Sequence, residues 1–130
     1  MNPNMIPTEL PITLKGACVL SVECWRLRRL AEQVMDISAG AGLRHAVRCI
    51  TDTLLQKGIE VVDFVGRAYD PGIAPKVVEV LEDPDLVDGH AIIEKTIAPT
   101  VIWRGCVVRP GQIIVRHATT KSEESAGGDT

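Results

Sequence analysis

The side chains that could bind a metal ion or attack a substrate are few and widely spaced along this 130-residue chain. The cysteines form no CxxC pair of the kind that places two thiolates on one zinc ion, and the histidines show no recognised ligand spacing. No histidine accompanies a cysteine and an acid in a known nucleophile pattern. We therefore predict a protein that is not an enzyme and has no metal site and no cofactor. The residues considered are Cys18, Cys24, Cys49, Cys106, His45, His90 and His117.

One acidic loop superficially resembles a calcium-binding loop. Asp83, Asp85 and Asp88 place carboxylates at near-alternate positions. The glycine and the terminal glutamate of the calcium motif are missing, so a solvated loop is the better interpretation.

The amino-acid composition limits the classes of protein to which this chain could belong. Hydrophobic residues make up 45% and charged residues 24% of the chain, which is a globular balance. The formal net charge of −3 argues against a general polyanion binder, since phosphate affinity comes mainly from clustered Lys and Arg. Nucleic acid binding stays a minority hypothesis, carried by arginines on two predicted helices. These are Arg26, Arg28, Arg29, Arg44 and Arg48.

The scattered cysteines and the first residues bear on localisation. Cysteines without a disulfide framework suit a reducing compartment. The start of the chain lacks the basic segment and apolar run of an export signal, and no stretch reaches the roughly 18 apolar residues that span a bilayer. We expect a soluble, cytoplasmic protein without membrane contact.

Helical periodicity fills the first half of the chain. Residues 1–16 contain three prolines and are predicted as an extended arm. Apolar residues at helical spacing predict one helix over 17–37 and a second from Leu43 to Gly58, separated by a glycine-rich turn at 38–42. Two helices cannot bury their apolar stripes with each other alone, so the hairpin over 17–58 is predicted to form a four-helix bundle in a homodimer. The predicted dimer interface comprises Leu27, Leu30, Val34, Leu43, Val47, Ile50 and Leu54.

The period changes to that of strands after Gly58. Short apolar runs separated by Gly and Pro predict a small all-β domain over 59–116, formed as a compact sheet or small barrel. Residues 117–130 are polar and are predicted as a disordered tail. The predicted fold class is therefore α+β. The predicted strands are 59–65, 76–81, 90–96, 100–103, 106–108 and 112–115.

The order of these elements resembles a known family. LLQKGI at 54–59 is followed by VG at 65–66, by YDP at 69–71 and by an acidic loop ending at Gly89, and then VVRP at 107–110 precedes IIV at 113–115. In this order, Leu43 to Val115 is similar to the C-terminal half of GrpE, the nucleotide exchange factor of DnaK-type chaperones. The chain looks like a short, diverged member without the long N-terminal stalk helix.

Several positions depart from the family pattern. Residues 72–76 read GIAPK where the family has a His-Glu-Ala stretch. Thr100-Val101 replaces the usual Gly-Tyr, and Cys106 replaces a basic residue. The departures favour a second hypothesis, in which a GrpE-like adaptor binds another protein without acting on nucleotide.

The resemblance implies a mechanical function rather than a chemical one. A GrpE-like β-domain would bind the ATPase domain of a DnaK-type chaperone and promote ADP release, as a co-chaperone in protein folding and the stress response. The residues expected at the chaperone contact are Tyr69, Asp70, Arg104 and Arg109, where an arginine could pair with acidic groups in a bidentate manner. The same Asp70 could instead cap a turn, and Arg109 could serve only to orient the last strand.

Overall fold

A computed structural model describes residues 6–119 of the chain and contains two helices followed by six strands. This arrangement confirms the predicted α+β class with helices preceding the β-structure. The elements are α1 (Leu14–Ala31), α2 (Ile37–Gln56), β1 (Ile59–Val62), β2 (Lys76–Asp83), β3 (Ala91–Ala98), β4 (Thr100–Trp103), β5 (Cys106–Arg109) and β6 (Gln112–Ala118).

Helix α1 begins three residues before the predicted start at Ala17. Thr13 is its N-cap, and the Thr13 hydroxyl accepts a hydrogen bond from the Gly16 N–H at 3.0 Å. That bond satisfies a backbone donor that the first turn would otherwise leave unpaired. The prediction of an extended arm to residue 16 overlooked this cap. Of the predicted arm, residues 1–5 lie outside the described residues.

The turn between the helices is not the glycine-rich segment. Helix α1 ends at Ala31, and α2 begins at Ile37, so residues 38–42 are helical and the predicted turn there is wrong. Asp36 is the N-cap of α2, and its carboxylate accepts from the Ala39 N–H at 2.8 Å. Because an Asp cap stabilises a helix start by about 1 kcal/mol, it offsets part of the helix cost of Gly40 and Gly42, which is about 1 kcal/mol each.

The buried face of α1 consists mainly of small residues rather than leucines. Leu27 and Leu30, from the predicted apolar stripe, are exposed instead. Both helices contact β1, and α1 also contacts β4. Small side chains allow this close approach, so α1 is buried against a sheet and not only against α2. The buried residues of α1 are Ala17, Cys18, Ser21, Val22, Cys24, Trp25 and Ala31.

The strands form two three-stranded sheets rather than the predicted single sheet or barrel. The first sheet has the order β1-β4-β5 and is antiparallel throughout. The second has the order β2-β6-β3, in which β6 pairs parallel with β2 and antiparallel with β3. The first sheet packs on the helices around Ile59 and Val101.

The second sheet has its own core, covered by the segment that connects β1 to β2. β1 ends at Val62, three residues before the predicted end, and Phe64 packs on Ile93 and Ile113 of the second sheet. The connecting chain also extends the sheet edge, because the Gly66 N–H donates to the Ile93 carbonyl at 2.8 Å. Within the predicted strand over 59–65, Ile59 and Val61 therefore pack in the core of the first sheet, and Phe64 packs in the core of the second.

Strand β6 continues two residues past the predicted domain end at 116. The Ala118 N–H donates to the His90 carbonyl at 3.0 Å, and Ala118 is buried. His117 and Ala118 therefore belong to the sheet and not to the predicted tail. From residue 120 onward the tail lies outside the described residues.

The two sheets meet where Gly111 crosses the β3–β4 connection. The Gly111 N–H donates to Thr100 Oγ1 at 3.1 Å, and the Gly111 carbonyl accepts from the Lys76 N–H at 2.8 Å. A Cβ placed on Gly111 would lie 2.6 Å from the Ala98 carbonyl oxygen and 2.8 Å from the Thr100 nitrogen. Since these neighbours are backbone atoms, only glycine fits at this position.

Gly111→Ala is therefore expected to lower the free energy of unfolding by about 1–3 kcal/mol, through overpacking against backbone that cannot move aside. The matched control is Gly42→Ala, which lies on an exposed part of α2 with nothing within 4 Å of its added Cβ. That control should raise the free energy of unfolding by about 0.5–1 kcal/mol. Urea unfolding followed by circular dichroism measures both. Equal effects of the two substitutions would contradict the close approach.

Candidate protein-binding site

The four residues predicted to contact a partner fall into two pairs on different sheets. Arg104 and Arg109 flank β5 of the first sheet. Tyr69 and Asp70 lie in the segment that covers the second sheet. Among the described residues, no hydrogen bond or ion pair links one pair to the other. The two pairs are therefore considered separately.

Arg104 is held in an unusual backbone conformation at the tip of the β4–β5 hairpin. Its φ is 51°, which is left-handed and uncommon for a residue with a side chain. The Arg104 N–H donates to the Gly58 carbonyl at 2.9 Å, which ties the tip to the end of α2. The backbone conformation is thus imposed by a long-range hydrogen bond as well as by the tight turn.

The Arg104 side chain is exposed but ordered by its neighbour. Its guanidinium lies 4.7 Å from the centre of the Trp103 ring, in a cation–π arrangement. The Trp103 indole N–H donates to the Lys57 carbonyl at 3.1 Å, which fixes the ring in turn. A guanidinium positioned on a fixed ring can bind a carboxylate with little further loss of side-chain freedom.

An apolar cleft of about 480 Å³ adjoins this arginine. It lies between the start of α1, the end of α2 and the β4–β5 hairpin. A cation beside an apolar recess can bind both a charged and an aliphatic group of a partner protein. The cleft is lined by Ile12, Thr13, Leu14, Ala17, Leu20, Thr53, Leu54, Lys57, Ile59, Trp103 and Arg104.

Arg109 occupies the other end of β5 and is exposed. It lines a second cleft, of about 450 Å³, with Lys15 and Val19 of α1 and with Val108. Arg109 pairs with Val101 in the register of the first sheet, so the strand fixes its position. Arg109 and Lys15 together give this cleft a positive character.

Tyr69 and Asp70 have structural roles in the second sheet. The Asp70 carboxylate accepts from the Gly72 N–H at 2.9 Å, which is the turn-capping bond of an Asp-Pro-Gly turn. Tyr69 packs on the second core, and its N–H donates to the Ala91 carbonyl at 2.8 Å. Tyr69 is half-buried and Asp70 is exposed, so part of each side chain remains accessible.

The residues predicted for the dimer interface differ in exposure. Leu27, Leu30, Leu43 and Ile50 are exposed large hydrophobic side chains, whereas Val34 and Leu54 are half-buried. Val47 is only 4% exposed within one chain, so it has almost no surface left for a second copy. The assignment of Val47 to the dimer interface is corrected on this ground: its burial is complete without a partner.

The helix arginines are divided between structural contacts and one cleft. Arg26 forms an ion pair with Glu23, and Arg29 lies over the Trp25 ring and donates to the Thr96 carbonyl at 3.4 Å. The other three line a cleft of about 290 Å³ between the helices, together with Glu32. They are Arg28, Arg44 and Arg48.

The acidic loop is organised by hydrogen bonds of its own. The Asp83 carboxylate accepts from the Asp85 N–H at 2.9 Å and also pairs with Arg116 at 3.4 Å. Arg116 in addition forms an ion pair with Glu94. Within residues 6–119, no three His, Cys, Asp or Glu side chains are placed to hold one metal ion.

Neither Trp103 nor the cleft beside it was among the site residues predicted from the sequence. The sequence Trp-Arg-Gly at 103–105, between two short predicted strands, could have indicated this feature. A large aromatic side chain just before a hairpin turn can pack on the side chain of the turn residue. The approach of the start of α1 to this hairpin could not be inferred from any local pattern.

Comparisons with known proteins add no assignment. No family model matches the chain, and no curated protein matches it. Within the described part of the chain, neither helix combines the length and the apolar character needed to cross a membrane.

The backbone strain at Arg104 provides a test of the hairpin tip. Arg104→Gly removes the guanidinium and also relieves a left-handed conformation that costs about 1–2 kcal/mol for a residue with a Cβ. Arg104→Ala removes the guanidinium and keeps that cost. We expect the glycine variant to be more stable than the alanine variant by about 1 kcal/mol in urea unfolding. Equal stability would mean that this position is not left-handed in solution.

Proposed function

We propose that this chain is a GrpE-like nucleotide exchange factor that binds the ATPase domain of a DnaK-type chaperone in the cytoplasm. The single observation that carries the proposal is the preorganised Trp103–Arg104 hairpin tip beside an apolar cleft. Two helices followed by a small β-structure, in the order that the family motifs require, support it further. The described residues form a surface suited to binding a protein.

The Trp103–Arg104 tip has the chemistry of a protein–protein hot spot. Tryptophan and arginine are enriched among the interface residues that contribute most to binding. The guanidinium would pair with a carboxylate of the chaperone, while the cleft beside it would accept an aliphatic side chain. Arg109, at the far end of the same strand, would extend the contact along β5.

Exchange activity requires the factor to discriminate between two states of the chaperone. It must bind the open, nucleotide-free ATPase domain more tightly than the closed, ADP-bound form, because only differential affinity shifts a conformational equilibrium. Linkage then requires ADP to weaken the binding of the factor by the same ratio. The function needs no nucleophile and no metal ion of its own.

The proposal includes a homodimer through the helices. Leu27 and Leu30 of α1 and Leu43 and Ile50 of α2 are exposed apolar side chains. A second copy would cover them in a four-helix arrangement. The dimer would present two hairpin tips.

The function is tested by release of a fluorescent ADP analogue from a DnaK-type chaperone, followed by stopped flow. The protein should accelerate release in a concentration-dependent manner. Arg104→Gly and Arg109→Ala should each raise the concentration needed for half-maximal acceleration by about tenfold, which corresponds to a loss of about 1.4 kcal/mol of binding free energy. Tyr69→Phe keeps the packing of the ring and tests whether its hydroxyl contributes.

The matched control for these arginine variants is Arg48→Ala. Arg48 is also exposed, but it lies in the cleft between the helices, away from β5. This variant should accelerate ADP release as the unchanged protein does. Absence of acceleration at saturating protein would refute exchange activity.

The dimer is tested by analytical ultracentrifugation in EDTA. We expect a dimer, and we expect Leu30→Glu and Ile50→Glu each to weaken it, because a charge would be buried at the interface. Val87→Glu is the control, since Val87 is an exposed apolar residue in the loop before β3. A monomer at high micromolar concentration would refute the four-helix arrangement.

A specific observation favours an adaptor as the second candidate. The segment 72–76, which departs from the family pattern, leads into the sheet junction, where Pro75 is buried and the Lys76 N–H donates to Gly111. Because Pro75 is buried and the Lys76 N–H is hydrogen-bonded, neither group is available for a chaperone contact. No acceleration of ADP release at saturating protein, together with binding to a protein other than the chaperone that Arg104→Gly weakens, would establish the adaptor.

The nucleic acid hypothesis makes a different prediction. Binding to DNA or RNA would decrease steeply with salt and would be weakened by Arg48→Ala. Binding to the chaperone would not respond to that substitution. Arg28 and Arg44 provide two further variants in the same cleft.

A further inference from the structure

Cys49 and His45 form an exposed pair on α2, one helical turn apart. The Cys49 Sγ lies 3.6 Å from the His45 Nε2. Both side chains are exposed, so a solute can reach both atoms. The four-residue spacing on a helix places two potential metal ligands on one face.

The separation of these two atoms is that of ligands on one tetrahedral zinc ion. With Zn–S of about 2.3 Å, Zn–N of about 2.0 Å and a tetrahedral angle, the sulfur and nitrogen would lie about 3.5 Å apart. The observed Sγ–Nε2 distance of 3.6 Å agrees with this value. Zinc would bind the thiolate form of Cys49 and the unprotonated Nε2 of His45.

One chain supplies only half of such a site. A structural zinc ion takes four protein ligands, and no third ligand from the described residues accompanies this pair. Two copies related by a two-fold axis would each contribute the same pair, because such an interface brings identical patches together. The resulting Cys₂His₂ set is a common structural zinc site.

The surface beside the pair favours a second copy of this chain as the source of the remaining ligands. Leu43, Ala46 and Ile50 follow one another at helical spacing and form an exposed apolar stripe on α2. Ala46 and Cys49 are three residues apart on α2, and residues at that spacing are neighbours on a helix surface, so the pair borders the stripe. A copy that covers the stripe with its own α2 would bring its own pair to the same edge.

We propose that His45 and Cys49 of two copies bind one zinc ion on the two-fold axis of a homodimer. The ion would fix the crossing of the two α2 helices and strengthen their association. The site rests on the dimer included in the proposed function, but it does not depend on exchange activity. Each thiolate that forms releases one proton, so zinc affinity should decrease as the pH is lowered.

The test is titration of the full chain with Co²⁺, and then with Zn²⁺, under a phosphine reductant. Cobalt should give the intense visible absorption of a tetrahedral site together with a thiolate charge-transfer band, saturating at one metal ion per two chains. Zinc should displace the cobalt and lower the dimer dissociation constant in analytical ultracentrifugation.

Cys49→Ser and His45→Ala should each abolish the tetrahedral spectrum and the effect of zinc on the dimer. Both residues are exposed, and circular dichroism would confirm that each variant remains folded. The matched control is Cys106→Ser, since Cys106 is the other exposed cysteine in the described residues and lies at the start of β5. This control should bind cobalt as the unchanged protein does.

The proposal is overturned by an absence of tetrahedral cobalt binding, by saturation at one ion per chain, or by a spectrum that persists in Cys49→Ser. ADP release measured in EDTA keeps the two proposals separate. In EDTA, Cys49→Ser should accelerate ADP release to the same extent as the unchanged protein. Loss of zinc binding therefore leaves the exchange result intact, and a failure of exchange leaves the cobalt result intact.

Discussion

The close approach of Gly111 to the backbone of Ala98 and Thr100 is the constraint on which the rest of the structure depends. At this crossing the chain passes from the second sheet to the first and back again. The Gly111 N–H and carbonyl are both hydrogen-bonded there, to Thr100 and to Lys76. Pro99, Thr100 and Val101 are almost fully buried around it. The two small sheets are thus fixed to each other at a point where a single added carbon atom has no space.

The candidate binding site follows from that arrangement. The first sheet packs on the helices, and its β4–β5 hairpin contacts the end of α2 through the Arg104 and Gly58 backbones. The strained conformation of Arg104 is maintained by this contact and by the short turn. Strain of this kind persists only where surrounding structure determines it, and it is concentrated at functional positions. Arg104 and its supporting Trp103 are consistent with that pattern.

The small side chains that α1 buries against the first sheet leave larger apolar side chains of both helices exposed, where a second copy could cover them. The helices bury a face of small residues against the first sheet and leave Leu27, Leu30 and Ile50 at the surface. Single exposed leucines are ordinary on a protein surface, and these residues lie on two helices that pack against each other. Covering this surface with a second copy would also place the His45–Cys49 pairs at a shared edge. The hairpin tip, the exposed apolar side chains of the helices and the His45–Cys49 pair are all surface features that a partner protein could contact.

Local sequence patterns predicted the fold class, two helices and the approximate position of every strand. Helical and strand periodicities are local, and short-range turn residues interrupt them, so β4 was predicted at its observed bounds, 100–103. The family resemblance suggested Arg104 and Arg109 as contact residues, and both side chains are exposed.

Only the tertiary structure decided which face of α1 is buried, how the strands divide into two sheets and which candidates lie together. Leucine and small residues both recur at helical spacing on α1, and the choice between them depends on how closely a sheet can approach. Likewise, the sequence around Gly111 is typical of an ordinary turn. Only the folded chain shows that the Ala98 carbonyl lies so close that a Cβ would not fit. Contacts between residues far apart in sequence decide these features, and no local pattern encodes them.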